Sequence, residues 1–160
     1  MSDYGDIMNA IVSRLKTELP YLNNGVFPIH NTTEAFKHKG KKDPFVLVYY
    51  MGADIRDRHR YEDQDHNFLI SVFKHGWDKE GAGTYVATVL GGKTIPNIVN
   101  EAKLKLDLYM FETEIPNYIY RAAAKNFNAT TSNTQLGIPD EFYNNSGGFS
   151  MLYQVEERKT

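Results

Sequence analysis

The residues best able to do chemistry lie in a short glycine-containing segment, Ala87-Thr88-Val89-Leu90-Gly91-Gly92-Lys93-Thr94. It matches a relaxed phosphate-binding loop in which Ala replaces the usual first glycine, Lys93 would reach phosphate oxygens and Thr94 would bind Mg²⁺. Apolar, β-branched residues where the loop should be flexible argue against this, and Pro96 removes a backbone donor from the following helical turn. The preferred interpretation is a Gly-Gly turn and a helix capped by Thr94, with nucleotide binding through Gly92-Lys93-Thr94 as a remote alternative.

Histidines and carboxylates are the remaining candidates for metal or acid–base chemistry. His59 and His66, with Asp63 and Asp65 nearby, form the only cluster of potential metal ligands. This stretch is so polar that solvated surface is the better interpretation, and no metal site is predicted. No Gly-x-Ser-x-Gly motif exposes a serine, and the chain has no cysteine. We therefore expect a protein that is not an enzyme and needs no cofactor.

A densely charged segment, 54–65, separates two strongly β-forming runs, 45–50 and 68–73. Eight of its twelve residues are charged, which predicts a polar hairpin tip reaching away from the body. Tight hairpins need only about two to five connecting residues, so a connection this long indicates a surface that meets a partner. Mixed-sign charge suits contacts that set the register between protein subunits. The predicted contact residues are Asp54, Arg56, Asp57, Arg58, Arg60, Glu62, Asp63 and Asp65.

Length and composition limit the classes of protein that this chain can be. Its 160 residues, 41% of them hydrophobic, predict one globular domain spanning 1–160. A net charge of −2 gives no reason to expect nucleic acid or an anionic membrane as a partner, and the basic stretch 37–42 is interpreted as a solvated loop. No signal peptide and no apolar run of ~20 residues is present, which predicts a protein made in, and remaining in, a cytoplasm.

Two amphipathic helices are predicted from apolar residues repeating at helical spacing. In 5–19 the apolar residues recur every four positions and Pro20 follows the last of them. A second stripe predicts a helix over about 96–111, beginning at the Thr94 cap with Pro96 in its first turn. The two stripes are Ile7, Ile11, Leu15 and Leu19, and Ile98, Ala102, Leu106 and Tyr109 or Met110.

Strands are predicted over the two β-forming runs, extended to 45–52 and 66–75, with a short extended piece at 26–29. Further strands are predicted from 118, weakening into 122–124, and over 148–155; the run 85–90 fits helix or strand equally. The Asn-, Thr-, Ser- and Gly-rich stretch 126–147 is interpreted as a long polar loop. Together these elements predict an α+β fold, with helices packed on a mainly antiparallel or mixed sheet as a single pair of layers.

The order of these elements resembles the tail terminator (tail completion) proteins of long-tailed bacteriophages. The resemblance is carried by the opening helix, which closes at Leu19-Pro20, and by Val26-Phe27-Pro28. It continues with Asp43-Pro44-Phe45-Val46-Leu47-Val48 leading into the polar hairpin, the helix near 96–111 and the late strand that begins Gly147-Gly148-Phe149. The long loop 126–147 and the Gly-rich stretch 76–92 depart from that pattern.

The resemblance implies a structural virion protein at the head-proximal end of a tail. Its expected form is a homo-oligomeric ring, commonly a hexamer, that caps the tail tube, stops tube polymerisation and presents a surface for the head. The expected partners are other copies of the chain, the major tail tube protein and a head-completion or neck protein. DNA could pass through the lumen, but no sequence-specific nucleic-acid binding, membrane or cofactor is expected, and assembly would occur in the cytoplasm of the host bacterium. The alternative is another head–tail neck or completion protein.

Overall fold

The computed structural model describes residues 4–31, 34–38, 44–58, 61–75, 88–90, 92–109, 119–130 and 146–159. Its main layer is a five-stranded mixed sheet in the order β1-β2-β3-β7-β6, in which β1 runs parallel to β2 and every other neighbouring pair is antiparallel. The sheet strands are β1 Val26–Ile29, β2 Phe45–Arg58, β3 Tyr61–His75, β6 Ile119–Thr130 and β7 Ser146–Lys159. The predicted α+β fold is confirmed.

Three helices among the described residues accompany the sheet: α1 Tyr4–Glu18, α2 Ala35–His38 and α3 Ile95–Asp107. A 3-10 turn, Pro20–Leu22, follows α1, and two short strands, β4 Thr88–Leu90 and β5 Lys93–Thr94, pair with each other just before α3. The described strand β4 falls within 85–90, where the sequence leaves helix and strand open. The helix α2 interrupts the polar stretch that was interpreted as loop, and the rest of 37–42 lies outside the described residues. No helix in the described ranges is long and apolar enough to cross a membrane.

The main core lies between α1, α3 and one face of the sheet, here called the helix face. Both predicted apolar stripes point into it, and all four residues of the α1 stripe are fully buried. On the sheet side the core residues are those whose side chains alternate toward the helices, such as Val46, Ile70 and Tyr153. A smaller cluster on the opposite face gathers Phe45, Leu47 and Phe73 beneath α2. The apolar character of both faces in β2 is thus explained by cover on both sides.

Two local features follow directly from residue type. The turn after α1 places Asn23 and Asn24 at φ of 52° and 61°, a region that asparagine tolerates better than most residues. Thr94 caps α3 by accepting a hydrogen bond from the Asn97 amide at 3.2 Å, while the Asn97 side chain accepts from the Thr94 amide at 3.1 Å. This reciprocal capping box confirms the predicted helix start.

Candidate protein-contact site

The two central strands continue through the segment that the sequence assigned to a hairpin tip. β2 reaches Arg58 and β3 begins at Tyr61, and the two are register partners. The predicted long charged hairpin is present, but the assignment of 54–65 to its tip is wrong, because only 59–60 separate the two strands and lie outside the described ranges. The physical reason is support from a third strand: β7 pairs with β3 as far as Glu62↔Lys159, so charged residues stay in the ladder.

Seven of the eight predicted contact residues therefore belong to strands rather than to a tip, and Arg60 lies outside the described residues. Arg56, Asp57 and Arg58 are the register partners of Asp63, Glu62 and Tyr61. Asp63 is also the partner of Arg158 on β7, so the backbone places a carboxylate between two arginine positions. Asp63 is only 5% exposed, whereas the sequence analysis expected a solvated position.

One row of the sheet is acidic on three adjacent strands. Asp54 on β2 is the register partner of Asp65 on β3, and Asp65 is in turn the register partner of Glu156 on β7. Asp54 is exposed, but Asp65 is buried. The side-chain amide of Asn67 lies beside this row, and its Nδ2 donates to Asp54 Oδ2 at 3.4 Å and to the Asp65 backbone carbonyl at 3.3 Å. The row continues on β6 with Arg121, the register partner of Glu156, so a basic position follows the three acidic ones.

A buried polar cluster on the helix face, which the sequence analysis missed, anchors the same end of the sheet. The Tyr50 hydroxyl lies 2.9 Å from His66 Nδ1, and His66 Nε2 lies 3.4 Å from Glu157 Oε1. Tyr4, at the start of α1, stacks on Tyr50 with ring centroids 4.1 Å apart. His66 and Glu157 are 3% and 1% exposed, so the interpretation of His66 as solvated surface is wrong. The available signal was the alternation of His66 with Phe68 and Ile70 on one strand face.

This cluster has the properties of a structural anchor. Burial, followed by the neighbouring Tyr4 and Glu157, raises the pKa of the Tyr50 hydroxyl above its ordinary value of 10.0, so Tyr50 stays protonated and can donate. Within the part of the chain that the structure describes, no group of three or more His, Cys, Asp or Glu side chains is arranged to hold a metal ion. His59 is outside that part, so the pairing of His59 with His66 is not described.

The outer edge of β2 is only partly occupied. β1 pairs with β2 over Val46 to Tyr49, and no described strand lies beside 50–58 on that side. Two large apolar side chains are exposed in this stretch, Met51 at 43% and Ile55 at 63%. A β-bulge at Gly52, with φ of 103°, marks where β2 leaves the region covered by β1. An open edge with exposed apolar residues is a feature of protein-contact surfaces.

Lys93 and Thr94, the side chains proposed for a phosphate-binding loop, make contacts with other protein groups. Lys93 Nζ lies 2.8 Å from Glu101 Oε2 and 5.2 Å from the centre of the Tyr21 ring. The Tyr21 hydroxyl donates to the same Glu101 oxygen at 3.0 Å. Thr94 holds the cap of α3, as described above. A phosphate-binding lysine and a Mg²⁺-binding threonine would both have to leave these partners, which argues against nucleotide binding here.

The whole fold is similar to that of a chain in a solved structure described as the virion of a native gene transfer agent (GTA) particle. The TM-score is 0.52 and the identity 11%, and the match covers 95% of this chain and 94% of that chain. At that identity the likeness shows the fold alone. No protein-family model matches the chain, and no curated protein matches it in sequence.

Proposed function

We propose that this protein is a structural component of a phage-like virion, a homo-oligomeric ring that caps the tail tube and offers a joining surface to the head. The observation that carries the proposal is the full-length fold likeness to a chain from a gene transfer agent virion. The match leaves almost no part of either chain unaccounted for, so the whole domain, rather than a common sub-motif, is shared. The resemblance in element order to tail terminators supplies the finer assignment.

Surface chemistry supports an assembly role. The described residues include a partly open sheet edge with exposed apolar side chains and, beside it, the exposed side chain of Asp54, the first position of the acidic row. Apolar edge residues supply contact area, and charged neighbours fix orientation and exclude wrong partners. A ring built from one chain needs two different contact faces on each subunit.

The decisive experiment combines mass measurement of the purified chain with negative-stain microscopy of tail tubes from the particle that encodes it. We expect one ring of this protein at one end of each tube, and tubes of uniform length when it is present during polymerisation. A chain that stays monomeric and never decorates a tube end would contradict the proposal.

A charge-reversal variant tests whether the paired strands β2 and β3 take part. Changing Arg56, Arg58 and Arg60 together to glutamate should weaken assembly, because it inverts the charges expected to orient the partner. The melting temperature is measured alongside, because a second carboxylate opposite Asp63 should lower stability. The matched control reverses three helix lysines, Lys16, Lys37 and Lys103, and changes the net charge equally. Assembly unchanged in the arginine variant, or equally weakened in both, would remove these residues from the interface.

Another head–tail neck or completion protein is the second candidate, because the fold likeness to a virion chain applies equally to such a protein. The same microscopy separates the two. Binding to the portal end of isolated heads without binding to tubes would favour the neck assignment, and tube-end binding favours the terminator.

The remote nucleotide alternative has its own test. Millimolar ATP or GTP with Mg²⁺ should leave the melting temperature unchanged, since any ligand that binds the folded state raises it. A clear rise that Lys93→Met abolishes would establish nucleotide binding.

A further inference from the structure

The two edges of the sheet differ, and at each edge part of the outermost strand has no strand partner among the described residues. On one side, β2 extends past β1 through 50–58. On the other side, the twelve-residue strand β6 pairs with β7 along one edge, and no strand among the described residues occupies its other edge. Long open edges are templates for pairing with another chain, and natural proteins usually shorten or cover them.

Backbone N–H and C=O groups of successive residues in β2 point alternately to the two sides of the strand, so their direction at one residue gives their direction at the others. The Val46 amide donates outward, to the Gly25 carbonyl at 2.7 Å, and side chains on one face of a strand share the direction of their backbone groups. Val46 belongs to the helix face. Ala53 returns to that face beyond the bulge, because it is the register partner of the core-facing His66, and Ile55 follows two residues later. The N–H and C=O groups of Ala53 and Ile55 therefore point away from β3, to a side where no described strand lies.

The same reasoning applies to β6. Ala122 and Ala124 are the register partners of Val155 and Tyr153, which are core residues on the helix face. Three antiparallel pairings lie between β2 and β6, so these two strands run in opposite directions. When a strand is reversed within the plane of the sheet, its side chains stay on the same face, but its backbone N–H and C=O groups point to the opposite side. The N–H and C=O groups of Ala122 and Ala124 therefore also point outward, at the opposite edge.

We propose that the open edge of β2, residues 50–58, receives strand β6 of a second copy of this chain as an antiparallel neighbour. This inference rests on the proposed ring and names its subunit contact. The side chains are complementary in size: Ile55 is 63% exposed on the helix face of one edge, and the other edge presents small alanines on that face. The sequences of the two strands also differ in charge: β6 contains Arg121, the register partner of Glu156, and Lys125 and no acidic residue, while Asp54 lies beside the open edge of β2.

The geometry of this contact is of the type from which a ring can be built. The two edges are different surfaces on opposite sides of one sheet, so the contact is head-to-tail and each subunit uses both edges. When all copies have the same orientation around a common axis, β6 of one subunit lies beside β2 of the next, and the two strands run in opposite directions along the axis. The antiparallel match of the outward backbone groups follows from that arrangement.

Disulfide trapping tests the contact directly, because the native chain has no cysteine. Ile55→Cys is combined in turn with Ala122→Cys, Ala124→Cys and Ala129→Cys, three helix-face positions that scan the unknown register along β6. Opposed residues in such a ladder have Cα atoms about 5.5 Å apart, within disulfide reach. Mild oxidation of at least one double variant, in solution and on tube ends, should give a covalent ladder ending at a closed ring.

The single-cysteine variants are the matched controls. Each alone should stay uncrosslinked, and an equimolar mixture of an Ile55→Cys chain with its matching β6 variant should stop at dimers, because each chain then has one reactive edge. Strong crosslinking of Ile55→Cys with itself would show that like edges meet, and would overturn the head-to-tail pairing.

A proline variant gives a second, independent readout. Ile55→Pro removes one outward N–H without removing a ladder bond to β3, whereas Ile55→Thr keeps that N–H and removes only the apolar contact. Loss of a bond worth about 1 kcal/mol, together with the strain of proline on the neighbouring strand, should weaken self-association about tenfold. Circular dichroism and the melting temperature of the monomer report whether the fold survives.

The outcomes separate this inference from the proposed function. Rings that form normally, with no ladder in any double variant and an unchanged Ile55→Pro, would overturn the edge contact and leave the ring intact. A wild-type chain that forms no ring in solution or on tubes would overturn both.

Discussion

His66 and Glu157 form a buried pair on the helix face of the sheet, with His66 Nε2 3.4 Å from Glu157 Oε1 and side chains 4% and 1% exposed. His66 also contacts the Tyr50 hydroxyl, and Tyr50 stacks on Tyr4 of α1. The pair therefore connects β3 and β7 to β2 and, through the stacked tyrosines, to the first helix. A polar group at this depth is stable only while its partner is present.

Removing that partner should be costly. Glu157→Ala should lower the free energy of unfolding by about 2–3 kcal/mol, because it takes the acceptor from a buried ring nitrogen and leaves a cavity. Glu157→Gln keeps an acceptor and should cost about 1 kcal/mol or less. Urea denaturation monitored by circular dichroism measures both. Equal losses in the two variants would show that the contact with His66 contributes little.

The Glu101 carboxylate should make stability depend on pH in the acid range. Partial burial by itself would raise the pKa of Glu101, but hydrogen bonds from Lys93 and Tyr21 and the charges of Lys93 and Lys105 outweigh it, so the pKa falls below 4.5. Because the folded-state pKa is lower than the unfolded one, ionised Glu101 stabilises the fold above about pH 4.5, and this contribution disappears as the pH falls through the folded-state pKa.

A pH series on Glu101→Gln checks this sign. The variant should be less stable than wild type by about 1 kcal/mol at pH 7, and the two should converge as the pH is lowered toward 3. A difference that stays constant across that range would mean that the loss arises from packing and not from the ionised carboxylate.

Gly148 marks a close approach between β7 and β3. A Cβ atom there would lie 2.4 Å from the Val72 carbonyl oxygen and 2.8 Å from Phe73 Cδ1. Gly148→Ala should therefore destabilise the protein by about 2–3 kcal/mol, because backbone must move to accommodate the methyl group. Gly92→Ala is the control: its φ of 77° is strained for alanine but nothing lies within 4 Å, so about 1 kcal/mol is expected. A Gly148 variant no worse than the Gly92 variant would show that the strands can separate freely.

The Thr94 cap should be worth a typical helix-cap energy. Thr94→Ala removes the acceptor for the Asn97 amide and should cost about 1 kcal/mol, while Thr94→Ser should be nearly neutral. Thermal unfolding of the three proteins measures the difference. Equal stability of the alanine and serine variants would mean that the hydroxyl does not hold the end of α3.

The amino-acid sequence alone determined the parts of this protein whose structure depends on neighbours along the chain. Apolar spacing determined α1 and α3, because one helix face repeats every three to four residues. The Thr94–Pro96 signal located the start of α3, and Asn23-Asn24-Gly25 located a turn, because capping and left-handed φ values are local preferences of those residue types. Two strongly β-forming runs located the centre of the sheet, and so the α+β class.

Only the tertiary structure decided how far the strands run and which polar residues are buried. Charged residues in 54–65 indicated a solvated tip, yet β7 pairs beside them and keeps them in the ladder. The stretch 126–130 looked like loop by composition, yet it continues β6 because β7 lies alongside. His66 looked like surface, yet Tyr50 and Glu157 meet it from strands distant in sequence. Strand pairing and the burial of polar groups depend on long-range partners, and the sequence of a single strand does not specify those partners.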